Sequence, residues 1–245
     1  MTENTVISVI ICVYNSEKFL QHSLDSAFNQ TLRNNFYEVI LIDDCSRDDS
    51  AEIVKRNLGR QNYRFFSNPE NKGLYFSCNK GINFAKGEYI LRLDADDCLE
   101  KDALEEFYGA VSRNDTDFVY SDRLEIYEEN SSIKHIDIPS FDIFKLTACG
   151  VLMKKDTVLK IGGYRNFLWE EYDLYIRYLK ESSKVPYYIR RPLYNYFRHK
   201  KSMTYKKAWN ITAWRQLIRE WGIEELKRYG ELPKEYIEAP ELQYE

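Results

Sequence analysis

Three carboxylates, Asp94, Asp96 and Asp97, fall within four residues at the end of a mostly apolar run, Glu88–Leu93. Such close like charges repel, and something must offset the repulsion. A D-x-D at the end of a buried strand sets two carboxylates on the same side of an extended backbone. That pair can grip a hard cation such as Mg²⁺ or Mn²⁺ and leave coordination positions for phosphate oxygens. The same residues can equally form an acidic turn capping a helix from Glu100 onward, because Asp is favoured at helix N-termini. From the triplet alone both arrangements stay open.

Three other groups could do chemistry. Asp43 and Asp44 follow the apolar run at 37–42, and a carboxylate there can accept the imide N–H of a uracil ring. Asp48, Asp49 and Ser50 just after them read as helix caps. In "WEEYDLYIR", Glu170, Glu171 and Asp173 cluster at a helix start, where the macrodipole favours them. A carboxylate beside a large aromatic is also a good general base if partial burial raises its pKa. In "FRHKKSMT", Arg198, His199, Lys200, Lys201 and Ser202 make either a solvated basic loop or a diphosphate clamp. No P-loop, no H-E-x-x-H and no G-x-S-x-G is present.

The elements that must position these groups follow one rhythm. Strand-like runs begin near 6, 37, 63, 88 and 117, separated by segments with helical periodicity. Asn15 or Ser16 can cap the first helix, around Phe19–Phe28. A second helix spans Ser50–Leu58, with Gly59 after it. A third ends near Gly87 and carries Gly81 as a point of close packing, and a fourth covers Lys101–Val111. Repeated βαβ units imply an α/β fold with an open, mostly parallel sheet flanked by helices. Ligands then bind outside the carboxyl ends of the strands, where Tyr14–Asn15, Asp43–Asp44 and Asp94–Asp97 fall. Beyond residue 122 the chain reads as a polar hairpin, a strand, a helix, a Gly-Gly turn, the helix from Trp169 and an aromatic, basic strand. Residues 1–204 read as one domain, with a nucleotide-binding half (1–121) and an acceptor half (122–204). Residues 205–245 form a helical C-terminal appendage.

Bulk composition narrows the class. The chain has 245 residues, 44% hydrophobic and 30% charged, with a net charge of −4 of interspersed signs, which argues against a nucleic-acid partner. Five cysteines without a C-x-x-C pair point to a reduced, cytoplasmic protein. The apolar run Val6–Val13 is too short for a membrane span and preceded by Glu3, unlike a signal sequence. The tail, with three of the four tryptophans, can pack on the core, form a homodimer contact or lie at the inner face of a membrane.

Taken in order, "ISVIICVYN", "LIDDCSRDDS", "NKGLYFSCNKGINFAKGEYILRLDADD", "WEEYDLYIR" and "YFRHKKSMT" resemble the family 2 glycosyltransferases of the GT-A fold. The match runs from residue 6 to about 204, and five motifs in this order and spacing are specific. The resemblance implies an inverting glycosyltransferase with a divalent Mn²⁺ or Mg²⁺, a nucleotide-sugar donor that Asp44 inclines towards UDP, and a glycan or lipid-linked acceptor. It implies a metal held by Asp96, Asp94 and Asp97, and catalysis by Glu171 with Glu170 beside it. Nucleotide binding falls to Cys12, Tyr14, Asn15, Asp44, Asp94, Arg198, His199 and Ser202, with Tyr14 stacking on the base. Cys12 stands where the family often has Pro or Thr, and Glu171 where it usually has Asp. Tyr196–Phe197 replaces a common aromatic–Arg step. Two other readings are a nucleotidyltransferase, which normally needs a Gly-rich basic loop that "CVYNSEKFL" lacks, and a degenerate transferase kept as a binding module.

Overall fold

The structure, a computed structural model, describes residues 5–200, 202, 205 and 207–234. Its centre is β1 (Ile7–Val13), a run of β-branched residues buried on both faces. Ile7, Val9, Ile11 and Val13 enter one core, while Ile10 enters the other, as alternation along a strand requires. β1 pairs in parallel with β2 (Tyr37–Asp43) on one side and β4 (Tyr89–Asp94) on the other, and β3 (Tyr63–Ser67) extends the sheet beyond β2.

The sheet continues as β3-β2-β1-β4-β8-β6-β9-β5. Its remaining strands are β5 (Cys98–Leu99), β6 (Phe118–Tyr127), β7 (Ile133–Ile136), which pairs with β6, β8 (Val151–Lys154) and β9 (Tyr187–Arg198). The sheet, expected to be mostly parallel, is parallel from β3 to β4 and mixed beyond. β8 is inserted antiparallel between β4 and β6, so the fifth strand of the repeating pattern does not touch the fourth. β6 still runs in the direction of β4, because two antiparallel steps restore it, and β9 runs parallel to β6.

One face of the sheet carries α1 (Leu20–Phe28), α2 (Ser50–Arg56) and α4 (Ala103–Arg113). The other carries α3 (Leu74–Phe84), α5 (Lys155–Lys160), α6 (Glu170–Glu181), α7 (Lys207–Trp221) and α8 (Ile223–Leu226). Gly81 lets α3 approach β1: a Cβ there would come within 2.5 Å of the Ile10 side chain. The tail joins the second core, with Ala213, Trp214 and Leu217 buried beside Trp169 and Leu174.

Two expected helix starts lie elsewhere. α1 begins at Leu20, and Ser16 serves it through its main-chain carbonyl, which accepts from Phe19 and Leu20. Asn15 caps nothing, because its left-handed backbone (φ 52°) turns its amide oxygen to the Arg47 N–H. α4 begins at Ala103, after the short strand β5, so the acidic triplet does not cap it. Residues 94–97 instead form a reverse turn in which the Asp97 N–H donates to the Asp94 carbonyl.

Asp173 anchors α6. It is fully buried and accepts from Arg165 Nε (2.9 Å), Arg177 Nε (2.9 Å) and Trp221 Nε1 (3.2 Å), joining the Gly-Gly turn, α6 and α7. Removing one partner of a buried ion pair strands the other charges. Asp173→Ala is thus expected to lower unfolding stability by on the order of 3 kcal/mol in urea titration. A loss below about 1 kcal/mol would show that apolar packing alone holds α6.

Candidate active site

A cleft of about 740 Å³ opens over the carboxyl ends of β1, β2 and β4. Its rim begins with two loops tied together. The Asn15 N–H donates to Ser46 Oγ (3.0 Å), the Ser16 N–H to Ser50 Oγ (2.9 Å) and the Glu17 N–H to Asp48 Oδ2 (3.0 Å). Asn15 and Asp48 thus hold loops, while Cys12, Tyr14 and Ser16 line the cleft. The Cys12 thiol is pushed well up by its bond to Cys78 (Sγ–Sγ 3.6 Å) and by burial, and presents a neutral surface. Tyr14 is 45% exposed, which leaves its ring open to a planar partner.

Asp44 is buried at the end of β2 and lines the cleft. It accepts from Asn68 Nδ2 (2.7 Å) and from the amides of Lys72 (2.9 Å) and Gly73 (2.7 Å). These bonds fold residues 68–73 over the sheet, bringing Asn71, Gly73 and Leu74 to the wall.

The acidic turn spreads its three carboxylates into different surroundings. Asp94 and Asp96 line the cleft, whereas Asp97 is not among the lining residues. Asp97 is fully buried and accepts from the Tyr194 hydroxyl and the Phe197 amide, which pins the turn to β9. Burial, then the charges of Asp96 and Asp94, push its carboxyl well above the usual range. Asp96 lies 2.9 Å from His199 Nε2, and the His199 ring stacks on Phe19 at 4.6 Å. The Ser202 amide donates to the His199 carbonyl, and Ser202 and Arg198 both line the cleft. Lys200 points to Glu129 (3.5 Å) on the hairpin, and Lys201 lies outside the described residues.

Between these carboxylates and α6 stands Arg92, which is buried. Its Nε donates to Asp94 Oδ1 (2.7 Å) and its Nη1 to Glu170 Oε1 (2.7 Å). An arginine cannot deprotonate, so it neutralises part of a strongly acidic pocket at any pH. Sequence reasoning missed this residue. The available signal was a lone cation inside an otherwise apolar buried strand, two positions before Asp94 and therefore on the same face.

Glu170 and Glu171 open α6 and differ in their environments. Glu170 is buried against Arg92. Glu171 lines the cleft and, among the described residues, has no ion-pair partner. Burial first, then the adjacent charge of Glu170, push its carboxyl up to about 8. Sequence reasoning also missed Phe144, Tyr172 and Trp209, which complete the wall around Glu171.

The donor groups present fit a hard divalent cation. Asp94 and Asp96 offer carboxylate oxygens at the cleft surface, with the His199 imidazole beside them, an oxygen-rich set with one nitrogen. Atoms of Asp94, Asp97 and Cys149 also lie within 4.8 Å of one another. Burial raises the Cys149 thiol well above its usual range, however, and a protonated thiol is a poor ligand for such an ion.

Comparison with known proteins supplies the family. The family described as "Glycosyl transferase family 2" matches residues 8–178, well over half of the chain. The chain belongs to glycosyl transferase family 2. Among its relatives is a cholesterol galactosyltransferase of Borreliella burgdorferi, 34% identical over 170 residues, covering 67% of this chain and 47% of that protein. An uncharacterized glycosyltransferase of Haemophilus influenzae is 30% identical over 91% of this chain and 79% of its own length. Among solved structures, TarS of S. aureus in complex with UDP superposes with a TM-score of 0.75 at 16% identity, over 95% of this chain and 72% of that one. The mannosyltransferase PcManGT of Pyrobaculum calidifontis, solved with GDP-Man and Mn²⁺, gives 0.65 at 15% identity, over 98% and 69%. These likenesses establish the fold of this family 2 member as GT-A. No helix among the described residues is long and apolar enough to cross a membrane.

The Glu171 environment has a consequence for stability. Its folded pKa of about 8 lies above the ordinary value of 4.5, so the folded chain holds this proton more tightly than the unfolded one. The site's contribution to stability is therefore greatest at low pH and is lost as pH rises from 4.5 through about 8. Glu171→Gln is expected to raise the thermal midpoint at about pH 8.5, with the gain shrinking towards pH 4.5. A variant less stable than wild type at the higher pH would show that a cation, rather than burial, governs this carboxylate.

Proposed function

We propose that the protein is an inverting, metal-dependent glycosyltransferase that moves a sugar from a UDP-sugar to a hydroxyl of a glycan or lipid-linked acceptor, in cell-surface polysaccharide synthesis. The observation that carries this reading is Glu171, a cleft carboxylate held near neutrality across from the D-x-D turn. An acceptor hydroxyl has a pKa far above 7, so its proton must leave as the new C–O bond forms. A base with a pKa close to ambient pH is well matched to that task. Glu170 is committed to Arg92 and acts as its counter-ion rather than as the base. With one free carboxylate at the sugar, a single displacement suffices, and it inverts the anomeric centre.

The other residues bind and orient. Tyr14 stacks on the base and Cys12 supplies a neutral floor. Asp44 Oδ2 accepts one backbone amide and has a lone pair left for the imide N–H of uracil, while its other bonds hold it rigid. Asp94 and Asp96, with His199, would hold Mn²⁺ or Mg²⁺, which when bound supplies positive charge against the departing diphosphate. Arg198 and Ser202 flank the same position from the end of β9. Five free thiols support a cytoplasmic setting.

Three measurements test this. Calorimetry should show UDP binding that needs Mn²⁺ and is lost in Asp96→Asn; equal binding without the ion would remove the metal from the site. Glu171→Gln should lower kcat about 10²–10⁴-fold, with UDP affinity kept within about twofold. For the wild type, kcat/KM should fall tenfold per pH unit below about 8, because the base must be deprotonated. If Glu170→Gln abolished turnover while Glu171→Gln remained active, the base would be Glu170.

A further inference from the structure

The cleft has two chemically distinct halves. The half bearing Tyr14, Asp44, Asp94 and Asp96 comes from the ends of β1, β2 and β4. The half bearing Glu171 is walled by aromatic rings: Phe144, Trp169, Tyr172, Tyr196, Trp209 and Trp214. Trp169 is the hub, meeting Tyr172 at 5.3 Å, Trp209 at 5.8 Å and Trp214 at 5.0 Å, with interplanar angles of 66°, 72° and 87°. Edge-to-face contacts of this kind lock rings in place. Trp214 is fully buried and serves packing, but Trp209, near the start of α7, is only partly buried and lines the cleft. Residues of the C-terminal segment thus reach the chemistry.

Charge distinguishes what can dock there. Among the described residues, the cations lining this half, Arg92, Arg123 and Arg198, are already matched. Arg123 is paired with Glu125 (2.8 Å) and donates to the Lys145 carbonyl, and Arg92 is shared by Asp94 and Glu170. Arg198 stands 4.0 Å from Glu125 and over the rings of Tyr127 and Tyr196. An anionic acceptor would meet Glu171 with little unmatched positive charge among the described residues to offset the repulsion. An acyl chain would gain from the rings but would desolvate the Glu171 and Arg123 side chains without offering either a hydrogen bond. A neutral pyranose avoids both costs: its C–H face lies on an aromatic ring while its hydroxyl edge reaches the polar side chains.

We infer that the acceptor presents a neutral pyranose ring to Glu171, held against the Trp169–Trp209 wall, with Trp209 of α7 as the contact that selects it. This rests on the glycosyltransferase reading above, which places the attacking hydroxyl at Glu171.

Saturation-transfer NMR on the full chain with Mn²⁺ and UDP tests it, using methyl hexopyranosides and methyl N-acetylhexosaminides as probes. Glycerol 1-phosphate and phosphatidylglycerol vesicles serve as the anionic and lipid alternatives. The expected result is transfer to the ring C–H protons of at least one methyl glycoside. Trp209→Ala should weaken that glycoside's affinity tenfold or more, and Trp209→Phe less than threefold. Both variants should keep the UDP Kd within twofold, which shows that they fold. The inference is overturned if no methyl glycoside receives saturation, if glycerol phosphate or the vesicles bind in preference, or if Trp209→Ala binds the glycoside as wild type does. Absence of UDP binding by the wild type would instead sink the glycosyltransferase reading, since the glycoside signal is read independently of turnover.

Discussion

The site depends on one buried cation. Arg92 sits in a central strand, a poor place for a charge, and is tolerated because Asp94 and Glu170 hold it from two sides. That contact joins the end of β4 to the start of α6, parts of the chain 78 residues apart. It also divides the labour among four carboxylates. Glu170 is buried against the guanidinium, Asp94 shares it from the cleft surface, Asp96 faces His199, and Glu171 alone is left without a counter-ion among the described residues. Burial and then the Glu170 charge push the Glu171 carboxyl up, and Arg92, shared with Asp94 and Glu170, offsets only part of that.

The sheet makes this junction possible. By inserting β8 antiparallel between β4 and β6, the chain returns beneath the cleft and delivers Thr147–Cys149 beside the acidic turn, where the Asp94 amide donates to Cys149 Sγ (3.1 Å). β9 closes the opposite side. Its residues Tyr194 and Phe197 hold Asp97, and His199 follows directly. The acidic turn is therefore braced from the sheet, from β9 and from Arg92 together.

Much of this was legible in the sequence. The strands from 6 to 93 read correctly because continuous β-branched runs separated by helical periodicity admit few other arrangements. The family 2 likeness followed from motifs at the strand ends. Two kinds of feature were not legible. β8 is a four-residue strand whose apolar run could serve parallel or antiparallel pairing equally, so the mixed sheet could not be read from its residues. Contacts across long separations also left no local trace. Asp97 reads as one of three equivalent carboxylates until Tyr194 and Phe197 bury it. Asn15 reads as a cap until the Arg47 amide takes its side chain. Arg92 went unread, because the meaning of a lone cation in that strand required Glu170.

The two halves of the cleft differ in how the chain builds them. The half bearing Tyr14, Asp44, Asp94 and Asp96 is drawn mainly from one continuous stretch, residues 12–96, on strands that support each other in the central sheet. The rest of the lining is collected from separated segments, near residues 123, 144–148, 168–172, 194–214 and 233. Drift near 123, 144–148 or 168–172 alters a part of that lining and leaves the strand-end half unchanged. A lineage built this way can reshape one side of its cleft a segment at a time while the opposite side stays the same.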